Sequence, residues 1–536
     1  VLSQLNRVDA SVLLVYLFVV FGIGLAVSRR KTSETDYFLA GRKLPWYAIC
    51  ISLFATNIST NNFLGFSGLG YSQGMAIAAF EWMTIFGLVA LAFIFLPYYQ
   101  KARVITLPEF LERRYDQRAR ILLSGTVLLL YVFMELASIF YTGALALGTV
   151  LGIDFMWALV FVALFVGAYT AYGGLAAVVW TDVFQGIILY AGGATVTLYG
   201  LSKVGGLRAL MASEPQKFHT LLPANHELFP WPAILFGGLP LLAIWFWASS
   251  QVIVQRALAA KSDWDARMGT VCVAFLKIAA PFVFVVPGIV AFKLYPGLAT
   301  PDAAYPTLIR NLVPVGVSGV VLAGLVAALM SSGDSVLNSC ATLFTHDFYL
   351  RYINPEASQQ KLVAVGRITT VGILIVTLCW APILRNQQSI ILYAINLMGF
   401  LAAPFVAIFL AGIFTAWATP TAAFVTVLAS FPVSLALERT YQQLSHLYRI
   451  PIVFVFCVIV LALVSPFTKP KPKESLKGLL WRGKDVFRGD VGLLAPITDQ
   501  PGADTIGGAR LPLYKDYRLV AIVAIVLTAW MFYTFR

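Results

Sequence analysis

The side chains able to do chemistry in this chain are few, and they lie where charge is costly. Glu81, Lys277, Asp182 and Asp334 each sit within or at the edge of a long apolar run. A charge at the centre of a membrane span costs about 2.5–3.5 kcal/mol on insertion scales, so such groups are paired or functional. Glu81 and Lys277 can neutralise each other or hydrogen-bond a polar ligand. Asp334 follows Ser331 by three residues and shares its helical face. Two acids facing one polar pocket need a cation between them or a proton on one. The pair Ser331-Ser332 adds hydroxyls, which either bond back to the preceding turn or face a ligand. A second polar cluster, Asn57-Ile58-Ser59-Thr60-Asn61-Asn62, interrupts an apolar run and is followed by Gly65, Gly68 and Gly70. One reading is a seam of small residues between helices. The other is a helix broken at a cavity, where unwound carbonyls coordinate a hard cation.

The elements that must hold these groups are membrane helices. Of 536 residues, 59% are hydrophobic and 12% charged, against about 25% charged in soluble domains. Runs such as 11–27, 155–172, 183–201 and 313–330 carry no charge and approach the ~20 residues of a spanning helix. Transmembrane barrels show only short alternating segments, so the fold class expected is an all-α membrane protein with about fourteen transmembrane helices. Their limits are near 9–28, 46–71, 77–99, 120–148, 155–173, 182–202, 232–260, 267–294, 315–345, 361–385, 388–416, 420–436, 450–466 and 516–535.

Lys and Arg concentrate after the first, third and seventh spans, Arg256 and Arg267 among them, and between the last two; 72–76 and 151–154 carry none. The positive-inside rule makes the basic loops cytoplasmic and both termini extracellular or periplasmic. It also gives the net charge of +13 a reason other than nucleic acid, and no nucleic-acid partner is expected. The polar stretch 469–515 reads as a cytoplasmic loop with little fixed structure. The five cysteines lie in apolar runs and read as packing residues. No Ser/His/Asp or His-rich constellation suggests an enzyme.

Four stretches carry a family resemblance: Thr35–Arg42 leading to Leu44-Pro45-Trp46; Ala55–Ser59 with Gly65, Ser67, Gly68, Gly70-Tyr71 and Glu81-Trp82-Met83; Tyr172–Asp182; and Ala328–Ser332 with Leu337-Asn338-Ser339. The chain resembles the solute:sodium symporter family, and within it the sodium/glucose cotransporter branch. The resemblance runs from about residue 10 to about 465. It implies a leucine-transporter-like five-plus-five inverted repeat, here 46–202 and 232–416. Outside that core would lie 1–45, the extracellular loop 203–231, and 417–536 with its cytoplasmic loop 467–515.

The resemblance also implies sites. A sodium ion would be held by the Ala55, Ile58 and Ala328 carbonyls and the Ser331 and Ser332 hydroxyls. A second cation site would use Asp182, Ser331, Asp334 and Ser335; here an aspartate stands where a hydroxyl is usual. Substrate contacts would come from Asn62, Glu81, Thr84, Glu135 and Lys277. Phe66, Phe80 and Ile391 would form the outer gate and Phe246 the inner one. Ala243, Ile395 and Glu135 depart from the polar contacts of galactose-transporting relatives, and Glu135 opposes an acidic solute. The expected function is sodium-driven import of a neutral polyhydroxylated solute, most simply a sugar, across the cell membrane. The alternatives are symport of an amino acid or cationic metabolite, or a transporter-like sensor. Sodium would be the only metal, and solute, sodium and lipid the partners.

Overall fold

The computed structural model describes residues 6–28, 33–386, 390–481, 505–506, 509–510 and 513–536. Among these, the regular elements are helices apart from a two-residue ribbon pairing Thr505–Ile506 with Ala509–Arg510. Apolar side chains such as Phe18, Leu164, Leu198 and Ile368 remain exposed on the outer helix faces, as lipid contact requires.

Twelve helices among the described residues are long and apolar enough to span a membrane. The fourteen expected from sequence count two of them twice, and each of those two contains a break. Phe155–Lys203, at 49 residues, is interrupted at Gly174 (φ 58°, ψ −165°), where a side chain would strike the Tyr37 backbone. Tyr169 reaches Asp334 at 2.6 Å, while Arg256 joins Asp182 to Ser335. In one straight helix Tyr169 and Asp182 would stand about 20 Å apart, so the chain folds back at Gly174. Asn62–Ala102 is broken at Gly74 (φ 72°). Lys277 bonds both Asn57 and Glu81, which a continuous helix would separate by about 36 Å.

Helix Val317–Leu343 forms the centre. Every residue from Val321 to Leu343 is buried, and it packs on Phe155–Lys203, Trp46–Asn57 and Arg7–Ser28. Its small residues allow the approach: Gly324 lies against Gly192 and Leu189 of the neighbouring leg, as packing between membrane helices favours.

Two expectations are corrected. Residues 469–481 of the presumed unstructured loop are fixed: Lys471 donates to the Glu112 and Arg113 carbonyls, and Trp481 N–H to Ile413 at 2.7 Å. The remainder of 469–515 lies largely outside the described residues. Several arginines counted as loop charge are buried instead. Arg114 caps carbonyls of Gly412, Thr415 and Ala418, Arg120 pairs with Asp347, and Arg256 and Arg267 are enclosed.

Candidate binding sites

Helix Trp46–Asn57 stops because Ile58 turns extended (φ −96°, ψ 102°). Asn62 holds the break by accepting the Ser59 N–H at 2.9 Å through its side-chain oxygen. The central helix presents its serine pair to the freed carbonyls. Ser331 donates to Ala55 O at 3.0 Å and lies 3.4 Å from Ala328 O, and Ser332 donates to Thr56 O at 2.9 Å. The bond across to the broken helix is thus shorter than the bond back along its own turn. Ala55, Ile58, Ala328 and Ser331 are wholly buried. A hydroxyl that donates still offers lone pairs. This set of uncharged oxygens, without thiolate or imidazole, fits a hard monovalent cation.

Beside the break opens a cavity. Asn62, Glu81, Thr84, Glu135, Phe66, Phe80 and Phe246 all line it, so the structure gathers seven of the predicted solute and gate residues around one chamber. Ile391 and Ile395 fall outside the residues whose side chains are described. Thr84 directs its hydroxyl to the Glu81 carbonyl at 2.5 Å. Aromatic walls with a few converging polar groups are the make-up of a small-molecule site.

Lys277 is placed differently from expectation. It does not line the chamber. Its ammonium pairs with Glu81 at 2.6 Å, contacts the Asn57 side-chain oxygen, and sits 5.6 and 5.8 Å from the Phe54 and Trp247 ring centres. Lys277 therefore contacts three residues that line the chamber, Asn57, Glu81 and Trp247, and pairs with the Glu81 carboxylate there.

Beside the expected second cation site, Asp182, Ser331, Asp334 and Ser335, the structure places a cationic side chain that the expectation did not include. The positive charge there is Arg256, whose guanidinium lies 3.3 Å from Asp182, donates to Ser52 at 2.8 Å and bonds Ser335. Ser52 also donates to Asp182 at 2.6 Å. Asp334 accepts from Tyr169 at 2.6 Å and from Ser335 at 3.1 Å. Asp182, Arg256, Asp334 and Ser335 are fully enclosed. Arg256 escaped notice because it followed an apolar run and resembled loop charge; its chain partner Gln255, equally buried, was the available signal.

Thr56 was also missed, although it lies between Ala55 and Asn57 of the interrupted stretch. Its carbonyl receives Ser332, its hydroxyl touches Ser335 at 3.0 Å and Asp182 at 3.4 Å, and it lines the chamber. Ser332 lines the chamber as well. The cation oxygens, the chamber and the sealed acid–arginine cluster thus meet at one residue.

Comparison with known proteins bears on what these sites hold. Residues 37–429 match the model of the sodium:solute symporter family. A sodium/glucose cotransporter of Vibrio parahaemolyticus is 38% identical over 492 residues, covering 86% of this chain and 90% of its own length. Human sodium/myo-inositol cotransporter 2 is 32% identical over 531 residues, covering 88% of this chain and 78% of its own. The solved structure of a Na+-coupled sialic acid symporter, substrate-bound and outward-open, superposes with a TM-score of 0.80 at 25% identity, over 87% of this chain and 99% of the other.

Proposed function

We propose that this chain, which belongs to the sodium:solute symporter family, uses the sodium gradient to import a sugar or related polyhydroxylated solute. The relatives named for glucose and myo-inositol support the solute class. The observation that carries the coupling is that Ser332, one of the cation oxygens, bonds the Thr56 carbonyl and that both residues line the chamber.

Sodium binds at the Ala55, Ile58 and Ala328 carbonyls and the Ser331 and Ser332 hydroxyls. In doing so it draws the two serine oxygens away from their present carbonyl bonds and pins the broken helix to the central one. Asn62, Glu81 and Thr84 on the far side of the break meet the solute, with Lys277 positioning Glu81. A ligand shifts a conformational equilibrium only by its differential affinity for the two states. Sodium stabilises the arrangement of the break that also completes the chamber, so each ligand favours the other. Repeats 46–202 and 232–416 then rock around the occupied site, with Phe66, Phe80 and Ile391 closing one side and Phe246 the other. Both termini lie outside the cell, the solute undergoes no covalent change, and Arg256 takes the place of a second transported cation.

Purified protein in proteoliposomes tests this. An inward sodium gradient should drive uptake of sugars or polyols above equilibrium. Equal uptake from potassium medium, or none of any sugar or polyol, contradicts it.

A further inference from the structure

The charged side chains on the chamber wall do not balance. Glu81 and Glu135 are the ionisable groups lining it among the described residues. Glu81 is neutralised by Lys277 at 2.6 Å. Glu135, half-buried on the helical turn Tyr131–Leu136, has no such counter-charge: among the described residues no ion pair reaches it and no basic side chain lines the chamber. Glu135 therefore lines the chamber without a basic partner among the described residues, in a setting where an isolated carboxylate is costly and a cationic ligand would relieve that cost.

A second observation points the same way. Ser138 donates to the Glu135 backbone carbonyl at 2.9 Å and meets the Asn61 amide nitrogen at 3.5 Å. Glu135, Asn61 and Ser138 all line the chamber, where Glu135 has no basic partner and the Asn61 side-chain oxygen, buried in this arrangement, has no donor among the described residues. An ammonium group, with three N–H donors and one positive charge, complements those acceptors; a lone hydroxyl supplies one donor and no charge. Trp245, Phe246 and Trp247 on the same wall add ring faces that attract a cation.

We infer that the solute of this transporter is a polyhydroxylated ring bearing a protonated amine, an amino sugar, and that Glu135 selects it by pairing with the ammonium. This rests on the sodium-coupled sugar reading above and narrows its substrate class. Glu81 and Asn62 read the hydroxyls; Glu135 and Asn61 read the amine.

The test compares glucosamine, glucose and N-acetylglucosamine as solutes for sodium-driven uptake in proteoliposomes at neutral pH. The three share a ring and differ in charge at one position. A charge-assisted hydrogen bond predicts that glucosamine exceeds both neutral sugars in uptake efficiency by roughly tenfold or more. Glu135→Gln should collapse that ratio toward one, and Glu135→Asp, which keeps the charge, should retain most of it. Quenching of tryptophan fluorescence by each sugar gives the same ratios for binding alone and shows that each variant is folded. Sodium-driven uptake with glucose equal to or better than glucosamine overturns the inference while leaving the symport reading in place. A glucosamine preference that survives Glu135→Gln also overturns it. Uptake of neutral sugar that rises with an inward proton gradient and loses that response in Glu135→Gln assigns Glu135 a proton instead. If no sugar is taken up, the symport reading fails, and the quenching ratios still decide whether Glu135 selects the amine.

Discussion

Two buried ion pairs stand on either side of the broken helix, and they do different work. Glu81–Lys277 has one member, Glu81, on the chamber wall, and the other bonded to it and to the wall residue Asn57. Asp182–Arg256 is closed on every side, tied by Ser52, Thr56 and Ser335 to two further helices, Trp46–Asn57 and Val317–Leu343. A carboxylate facing an open chamber can exchange its partners for a ligand's hydroxyls. A carboxylate enclosed in protein cannot, and removing its partner leaves a charge with nowhere to go. The sealed pair therefore belongs to the scaffold that holds the break, and the open pair to recognition.

Substitutions can break this distinction. The largest effect is expected for Arg256→Leu, which strands two enclosed carboxylates. Breaking a buried pair in this way costs about 3–5 kcal/mol, and the variant should show a sharply lowered melting temperature or no monodisperse protein after detergent extraction. Lys277→Ala should instead yield folded protein whose solute uptake falls by about 100-fold, since Glu81 lines the chamber but loses its positioning. If Lys277→Ala destabilises as severely as Arg256→Leu, the two pairs are alike and the distinction fails.

A smaller effect is expected at the cation oxygens. Ser332→Ala removes one ligand of several, so the sodium concentration for half-maximal uptake should rise by roughly tenfold at unchanged thermal stability. Unaltered sodium dependence would remove Ser332 from the site. The smallest effect is expected for Asp334→Asn. It preserves shape and removes one negative charge from a cluster of two carboxylates and one guanidinium. Uptake should stay within about threefold of the parent, and the slope of sodium activation should not change. A Hill coefficient falling to one in this variant would restore the second-cation site.

Much of the architecture was legible because lipid imposes simple rules. Long uncharged runs marked the spans, and the polar interruption at Asn57–Asn62 marked the break. The motif around Ser331-Ser332 led to the serine pair that meets the carbonyls of the broken helix at Ala55 and Thr56, and the resemblance pointed to seven of the chamber residues. What was not legible concerned partners distant in sequence. Arg256 follows an apolar run by only a few residues and looked like loop charge; only the folding back at Gly174 brings Asp182 to it. Lys277, expected to touch solute, bonds Asn57 and Glu81, partners on two separate stretches of chain that only the fold brings together. Thr56 carries no charge, and its junction role depends on three helices meeting.

The central claim is that cation and solute communicate through Thr56 and Ser332. It is tested most directly by measuring solute affinity of the purified protein, by tryptophan quenching, as sodium replaces potassium at constant ionic strength. The account predicts that sodium tightens solute binding by between about 5- and 150-fold, the usual range of coupling between linked sites, that solute tightens sodium binding by the same factor, and that Ser332→Ala abolishes most of both. Solute affinity that is indifferent to sodium in the parent protein, or coupling that is unchanged in Ser332→Ala, would contradict it.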